Sequence, residues 1–244
     1  MSKVYGLISR FSEDIDLVLD RNEVNQGTDP MAERSKKQQS KLNVNLNERA
    51  IAYIAETLLP QLEEALSAHC ELEIKAEEKD QGHVVRVKYP KAAESAWILP
   101  YIQLEIGPLA SWLPHSEHTI IPYAAEHFPE LFATPGCKVS AIDAERTFWE
   151  KATILHREAN RRENASVPPR YSRHYYNLYM MAADKELKKS ALTQPDLLDD
   201  VVEFNNKFYA QAWAKYDTTA NGELKLVPPE HVLAAMQNDY EAMQ

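Results

Sequence analysis

The chain has 244 residues, 44 % hydrophobic and 26 % charged, which is long enough to bury a sizeable core in one or two domains. Its net charge of −10 excludes a polybasic nucleic-acid binder and leaves any such contact to a local basic patch. Cys70 and Cys137 lie too far apart for a metal-binding or redox cysteine pair and exclude a disulfide framework, and no apolar run approaches the roughly 20 residues of a membrane span.

Met1-Ser2-Lys3-Val4-Tyr5-Gly6 carries no signal-peptide core, so the cytoplasm is the expected compartment. The first predicted element is a strand over residues 14–19. Residues 21–45 are polar and read as a surface loop, with a Lys/Gln/Ser cluster from Ser35 to Lys41. Ile51, Ile54, Ala55, Leu58, Leu62 and Leu66 then recur at helical spacing, predicting a helix from about Asn47 to Ala68 with a kink or break at Pro60.

Glu71–Lys75 and His83–Tyr89 alternate with period two around Lys79-Asp80-Gln81-Gly82, the pattern of a hairpin. Trp97–Ile106 predicts a strand ended by Gly107-Pro108. His118–Pro122 reads as a short strand, followed by a brief helix through Phe132. Lys138–Ile142 reads as a strand entering a helix from Asp143, a plausible N-cap, to about Asn160. After a basic loop bearing Arg157, Arg161, Arg162 and Arg170, helices are expected over Ser172–Lys188, Leu197–Tyr216 and Pro229–Met243. Strands dominate the first part and helices the last, so the expected class is α+β, with domains over 1–142 and 143–244.

The most informative run is Arg10-Phe11-Ser12-Glu13-Asp14-Ile15-Asp16-Leu17. On a strand, Ser12, Asp14 and Asp16 share one face while Ile15, Leu17 and Leu19 anchor the other. Two carboxylates side by side can hold one or two Mg²⁺ ions, as phosphoryl and nucleotidyl transfer require. A solvated edge strand explains the same pattern. Glu105 is the one carboxylate of Ile102-Gln103-Leu104-Glu105-Ile106 and completes the set if the two strands are neighbours. Alternation allows equally well that Glu105 simply lies on the solvated face.

Lys151 lies one helical turn from Phe148 and Leu155, at the border of an apolar stripe. From there it can hold a triphosphate as a point charge or snorkel to water. Arg170-Tyr171-Ser172-Arg173-His174-Tyr175-Tyr176-Asn177 mixes cations with aromatics. Its tyrosines read as helix packing, and Arg173 and His174 as candidates for nucleotide contact. His115, His118, His127 and His156 show no zinc-ligand spacing with the two cysteines.

Taken in order, Arg10–Leu17, Leu104-Glu105-Ile106-Gly107, Glu145–Lys151 and Ser172–Tyr176 resemble the AbiEii/AbiGii toxin family of DNA polymerase β-like nucleotidyltransferases, over nearly the whole chain. The resemblance implies a mixed-sheet nucleotidyltransferase core followed by a helical C-terminal domain. It implies Asp14, Asp16 and Glu105 as metal-binding and catalytic carboxylates for Mg²⁺. Lys151 takes the place of a catalytic phosphate-contacting lysine, and Ser12, Lys3, Arg173 and His174 join it as nucleotide-binding residues.

The implied reaction moves a nucleotide from a nucleoside triphosphate to an RNA (tRNA-like) or protein acceptor. The implied setting is the toxin half of a bacterial toxin–antitoxin or phage-defence pair, whose antitoxin need not form a stable complex. Two departures accompany the resemblance. Ser2-Lys3-Val4-Tyr5-Gly6 falls inside the family's segment G-G-[ST]-x-L-S-K-x-Y-G, whose glycine pair is missing here, so an N-terminal truncation is expected. The alternative reading that follows is a catalytically impaired nucleotide-binding module. Asn177 stands where many relatives read aspartate.

Overall fold

A computed structural model describes residues 1–8, 14–20, 24, 27, 29–76, 83–90, 100–108, 111, 113–163 and 165–242. The chain forms two compact units, Phe11–Ser111 and Met1–Arg10 together with Trp112–Gln244. The class is α+β, with a mixed sheet, a smaller second sheet and a run of C-terminal helices.

In the unit Phe11–Ser111, four strands form a sheet in the order β1 (Asp14–Val18), β4 (Tyr101–Gly107), β3 (His83–Lys88) and β2 (Glu71–Ala76). β1 runs parallel to β4, whereas β4–β3 and β3–β2 are antiparallel. The hairpin expected over 71–89 is therefore present, although its turn at 79–82 lies outside the described residues. The expected strand over Trp97–Ile106 starts at Tyr101 among them.

One face of this sheet carries Leu104, Ile106 and Val85. Val85 and Ile106 are buried with Ile54, and Leu19, Leu58, Leu59, Leu62 and Leu104 pack around them. Burying such a side chain contributes about 1.5–3 kcal/mol. The helical cover is α2 (Lys36–Tyr53), a π-helical turn (Ile54–Leu58) and α3 (Leu59–Leu66).

The helix therefore begins well before Asn47, and Ser35–Lys41 is mostly its first turns rather than loop. Ser35 and Gln38 form a reciprocal capping box: the Gln38 N–H donates to Ser35 Oγ at 3.3 Å and the Ser35 N–H donates to Gln38 Oε1 at 3.0 Å. Lysine and glutamine are good helix formers, so a polar run after such a cap continues as helix. Nor does Pro60 break the helix. Proline has no N–H and presses on the carbonyl four residues earlier. The chain widens there into the π turn, with the Leu59 N–H bonding to the Ile54 carbonyl.

In the other unit, α1 (Ser2–Tyr5) precedes an antiparallel pair, β5 (His115–Ile120) and β6 (Cys137–Ile142), with α4 (Tyr123–His127) between them. The Tyr5 hydroxyl donates to the Ile142 carbonyl at 2.8 Å and ties α1 to β6. Then come α5 (Ala144–Ala159), α6 (Ser172–Ala183), α7 (Lys185–Leu192), α8 (Pro195–Phe208) and α9 (Glu230–Glu241). Phe148, Trp149, Ala152 and Leu155 on α5 form the core with Leu178 and Met181 on α6, Leu187 and Ala191 on α7, and Leu197 and Val201 on α8. The buried Trp149 indole N–H finds its partner in the Ala191 carbonyl at 3.2 Å.

Three expectations change here. Ser172–Lys188 is two helices, because the Asp184 side chain accepts from the Leu187 N–H at 2.9 Å and caps a new start. α8 ends at Phe208 rather than Tyr216, which instead opens a 3₁₀ turn. Asp143 does sit at the N-cap of α5, but its carboxylate makes no cap bond and accepts from the Ser116 hydroxyl at 2.7 Å. Among the described residues no helix is long and apolar enough to cross a membrane.

Candidate active site

The parallel pairing of β1 with β4 sets the geometry of the carboxylates. Asp14 is in register with Gln103 and Asp16 with Glu105. In-register residues of neighbouring strands project to the same face. Asp14, Asp16 and Glu105 therefore share one face, opposite the one that carries Leu104 and Ile106. The condition on which the third carboxylate depended, adjacency of the two strands, is met.

Asp16 and Glu105 are exposed and Asp14 is half-buried. Gln103 Nε2 donates to Glu105 Oε1 at 3.0 Å, which orients that carboxylate along its own strand. Among the described residues β1 is the edge of the sheet, and its apolar register is covered only in part: Ile15 is 47 % and Leu17 39 % exposed, while Leu19 reaches the core.

The donor set fits a hard divalent cation in its chemistry, since carboxylate oxygens on one rigid face are what Mg²⁺ selects. Among the described residues, no three His, Cys, Asp or Glu side chains are already drawn into a metal-holding group. The backbone thus supplies the common face and a bound cation would have to gather the side chains.

Ser12 lies outside the described residues. Lys3, Lys151, Arg173 and His174 belong to the other unit. On α1, the Lys3 ammonium pairs with Glu126 and stands 3.4 Å from the centre of the Tyr123 ring. Lys151 is half-buried on α5, between the buried Phe148 and Leu155 in sequence and next to Glu150. Burial pushes the Glu150 carboxyl up, against the opposing charges of Arg146 and Lys151. Arg173 is half-buried near the start of α6. His174 is buried, with its ring edge-on to Tyr171 at 5.0 Å.

The basic loop is less available than its composition suggested. Glu158, 1 % exposed, accepts from Arg157 Nε at 3.1 Å and from Arg161 through Nε and, at 3.0 Å, Nη2. Arg157 also donates to the Tyr171 hydroxyl at 2.7 Å, and Arg161 stacks on Trp213 at 5.1 Å. Two of the loop's four arginines, Arg157 and Arg161, are therefore committed to a buried carboxylate, while Arg162 and Arg170 remain exposed. Sequence reasoning missed Glu158. The only signal was its place between two arginines at helical spacing.

Asp239 was also missed. From α9 it accepts from the Arg170 and Ser172 N–H groups and from the Ser172 hydroxyl, and so fixes the start of the helix that carries Arg173 and His174. No local pattern links residues 67 positions apart.

Over residues 1–244 the chain matches the family model described as "Nucleotidyl transferase AbiEii toxin, Type IV TA system". The chain belongs to the AbiEii family. Neither curated proteins nor solved structures gave a match. Membership places the chain in a family described as nucleotidyl transferase toxins of type IV toxin–antitoxin systems, and the four-stranded sheet with its carboxylate face belongs to a chain of that family. Within the AbiEii chain, Asn177 lies buried on α6, its Oδ1 without a hydrogen-bond partner among the described residues.

Proposed function

We propose that the chain is a Mg²⁺-dependent nucleotidyltransferase that transfers a nucleoside monophosphate from a nucleoside triphosphate to a tRNA-like RNA or a protein acceptor. The observation that carries this reading is the β1–β4 register, which sets Asp16 beside Glu105 and Asp14 on the same face in a chain of the AbiEii family.

Asp14, Asp16 and Glu105 would hold Mg²⁺, whose role when bound is to neutralise phosphate charge and ease deprotonation of the acceptor. The acceptor hydroxyl oxygen forms a bond to the α-phosphorus, the bond from that phosphorus to the bridging oxygen breaks, and pyrophosphate leaves. Glu105, already oriented by Gln103, takes up the hydroxyl proton. The resemblance adds Ser12, Lys3, Lys151, Arg173 and His174 as phosphate- or nucleotide-contacting residues, each open to test by substitution. Cellular antitoxin would oppose the reaction without needing a stable complex with this chain.

The test is to incubate the protein and Mg²⁺ with each labelled triphosphate and total cellular RNA or protein. Transfer of label to one acceptor class, with pyrophosphate release, is expected. Triphosphate binding without any transfer would replace this reading with a nucleotide-binding module.

A further inference from the structure

The carboxylate face of the sheet continues past β4. Arg86 on β3 is in register with Gln103, which is itself in register with Asp14 on the far side of β4. Glu73 on β2, Arg86, Gln103 and Asp14 thus form one row across four strands, and Glu105 with Asp16 forms the next row on the same face. At about 4.8 Å per strand, Arg86 stands about 5 Å from the Gln103 backbone and about 10 Å from that of Asp14. A phosphate held at the carboxylates and a long guanidinium side chain together span that gap.

The cations on this face are not equivalent. Lys88 lies 3.4 Å from both Glu71 and Glu73 and is neutralised at the β2 side of the sheet. Arg86 is steadied by an aromatic ring instead: its guanidinium carbon is 4.6 Å from the Tyr101 ring centre. Among the described residues its Nε is buried without a hydrogen-bond partner. A buried guanidinium N–H without a partner is costly, and a group that would satisfy it is an oxyanion. Stacking on a tyrosine restricts the guanidinium without using its forked donors, which match phosphate oxygens in pairs.

We propose that Arg86 is a phosphate-contacting residue of the nucleotide site, holding the phosphate chain of the nucleoside triphosphate on the carboxylate face with Tyr101 as its support. This rests on the nucleotidyltransferase reading above. None of the motifs that carry the family resemblance contains Arg86.

The test is calorimetric titration of the purified protein, with Mg²⁺, against each nucleoside triphosphate, the matching nucleoside and inorganic tripolyphosphate. The variants are Arg86→Ala, Arg86→Gln, Arg86→Lys and Asp16→Asn, with thermal melting as the check on folding. Loss of one charged hydrogen-bonding side chain is expected to weaken triphosphate and tripolyphosphate binding about 10-fold or more. Nucleoside binding should be unchanged. Arg86→Lys should recover part of the loss through charge alone. Should Arg86→Ala fail to fold, Arg86→Gln and Arg86→Lys carry the comparison.

Triphosphate affinity within about twofold of wild type in the Arg86→Gln protein would overturn the role of Arg86 alone, provided wild type binds and Asp16→Asn impairs it. Equal losses for nucleoside and triphosphate would likewise overturn it, since they place the residue against the base. Absence of triphosphate binding by the wild-type protein would overturn both this role and the nucleotidyltransferase reading.

Discussion

Asp16 and Glu105 stand directly beside one another across the parallel β1–β4 pair, two like charges in register on one face. Opposed like charges on neighbouring strands destabilise by about 0.2–1 kcal/mol. Without divalent cation, Asp16→Asn or Glu105→Gln is therefore expected to stabilise the protein by that amount in urea unfolding. The double variant should gain less than the sum, because both changes relieve the same repulsion. Both single variants should lose any rise in Tm that Mg²⁺ produces in wild type. Additive losses of stability would show that the two charges do not face each other.

Asp239 is expected to be worth about 1 kcal/mol, as capping side chains are, through its bonds to Arg170 and Ser172. Burial pushes its carboxyl up, but the Ser172 hydroxyl, the two backbone N–H groups and the Arg170 charge outweigh this and leave it below its ordinary value of 3.8. A depressed carboxylate stabilises the fold fully above its unfolded pKa and loses that contribution as pH falls through the folded one. The stability gap between wild type and Asp239→Asn in urea should therefore hold near neutrality and close below about pH 3.8. A gap that widened on acidification would contradict the assignment.

Glu158→Gln removes the buried carboxylate that two arginines share, and a loss of about 3–5 kcal/mol is expected because their charges remain. The exposed pair Lys138–Glu117 is the control: Glu117→Gln should cost less than about 1 kcal/mol. Denaturant midpoints of the two variants measure the contrast, and similar values would show Glu158 to be solvated.

Burial pushes up four tyrosine hydroxyls, those of Tyr5, Tyr175, Tyr209 and Tyr216. Burial, then the charges of Asp143 and Glu145, push the Tyr5 hydroxyl to about 12. Burial, then Glu158, does the same to Tyr175, also to about 12. A raised folded pKa means that the contribution is whole below the unfolded value of 10.0 and declines as pH climbs towards 12. Ultraviolet titration of tyrosinate should find four groups that ionise late in wild type and three in either Tyr5→Phe or Tyr175→Phe. Equal counts in all three proteins would exclude it.

The alternation in Asp14–Leu19 and Ile102–Ile106 was enough to place strands and to assign their polar faces, since a side-chain period of two is a local property. That the two strands are neighbours, with Asp16 at Glu105, was not legible, because register is set by a core that distant Ile54, Val85 and Leu62 complete. The helix from Lys36 was hidden by polarity, although the Ser35/Gln38 box was present in the text. The split at Asp184 was hidden by apolar spacing that runs through it unbroken. Composition misjudged Arg157 and Arg161, because charge counting takes no account of a carboxylate folded between two arginines.

The most direct test of the carboxylate face is pyrophosphate release by the purified protein, with Mg²⁺, the transferred triphosphate and its acceptor, compared across wild type, Asp16→Asn and Glu105→Gln. Release is expected in wild type and should be abolished in both variants, with melting temperatures, measured without divalent cation, equal to or above that of wild type. Undiminished release in Asp16→Asn would contradict the placement of nucleotidyl transfer on the face that Asp14, Asp16 and Glu105 share.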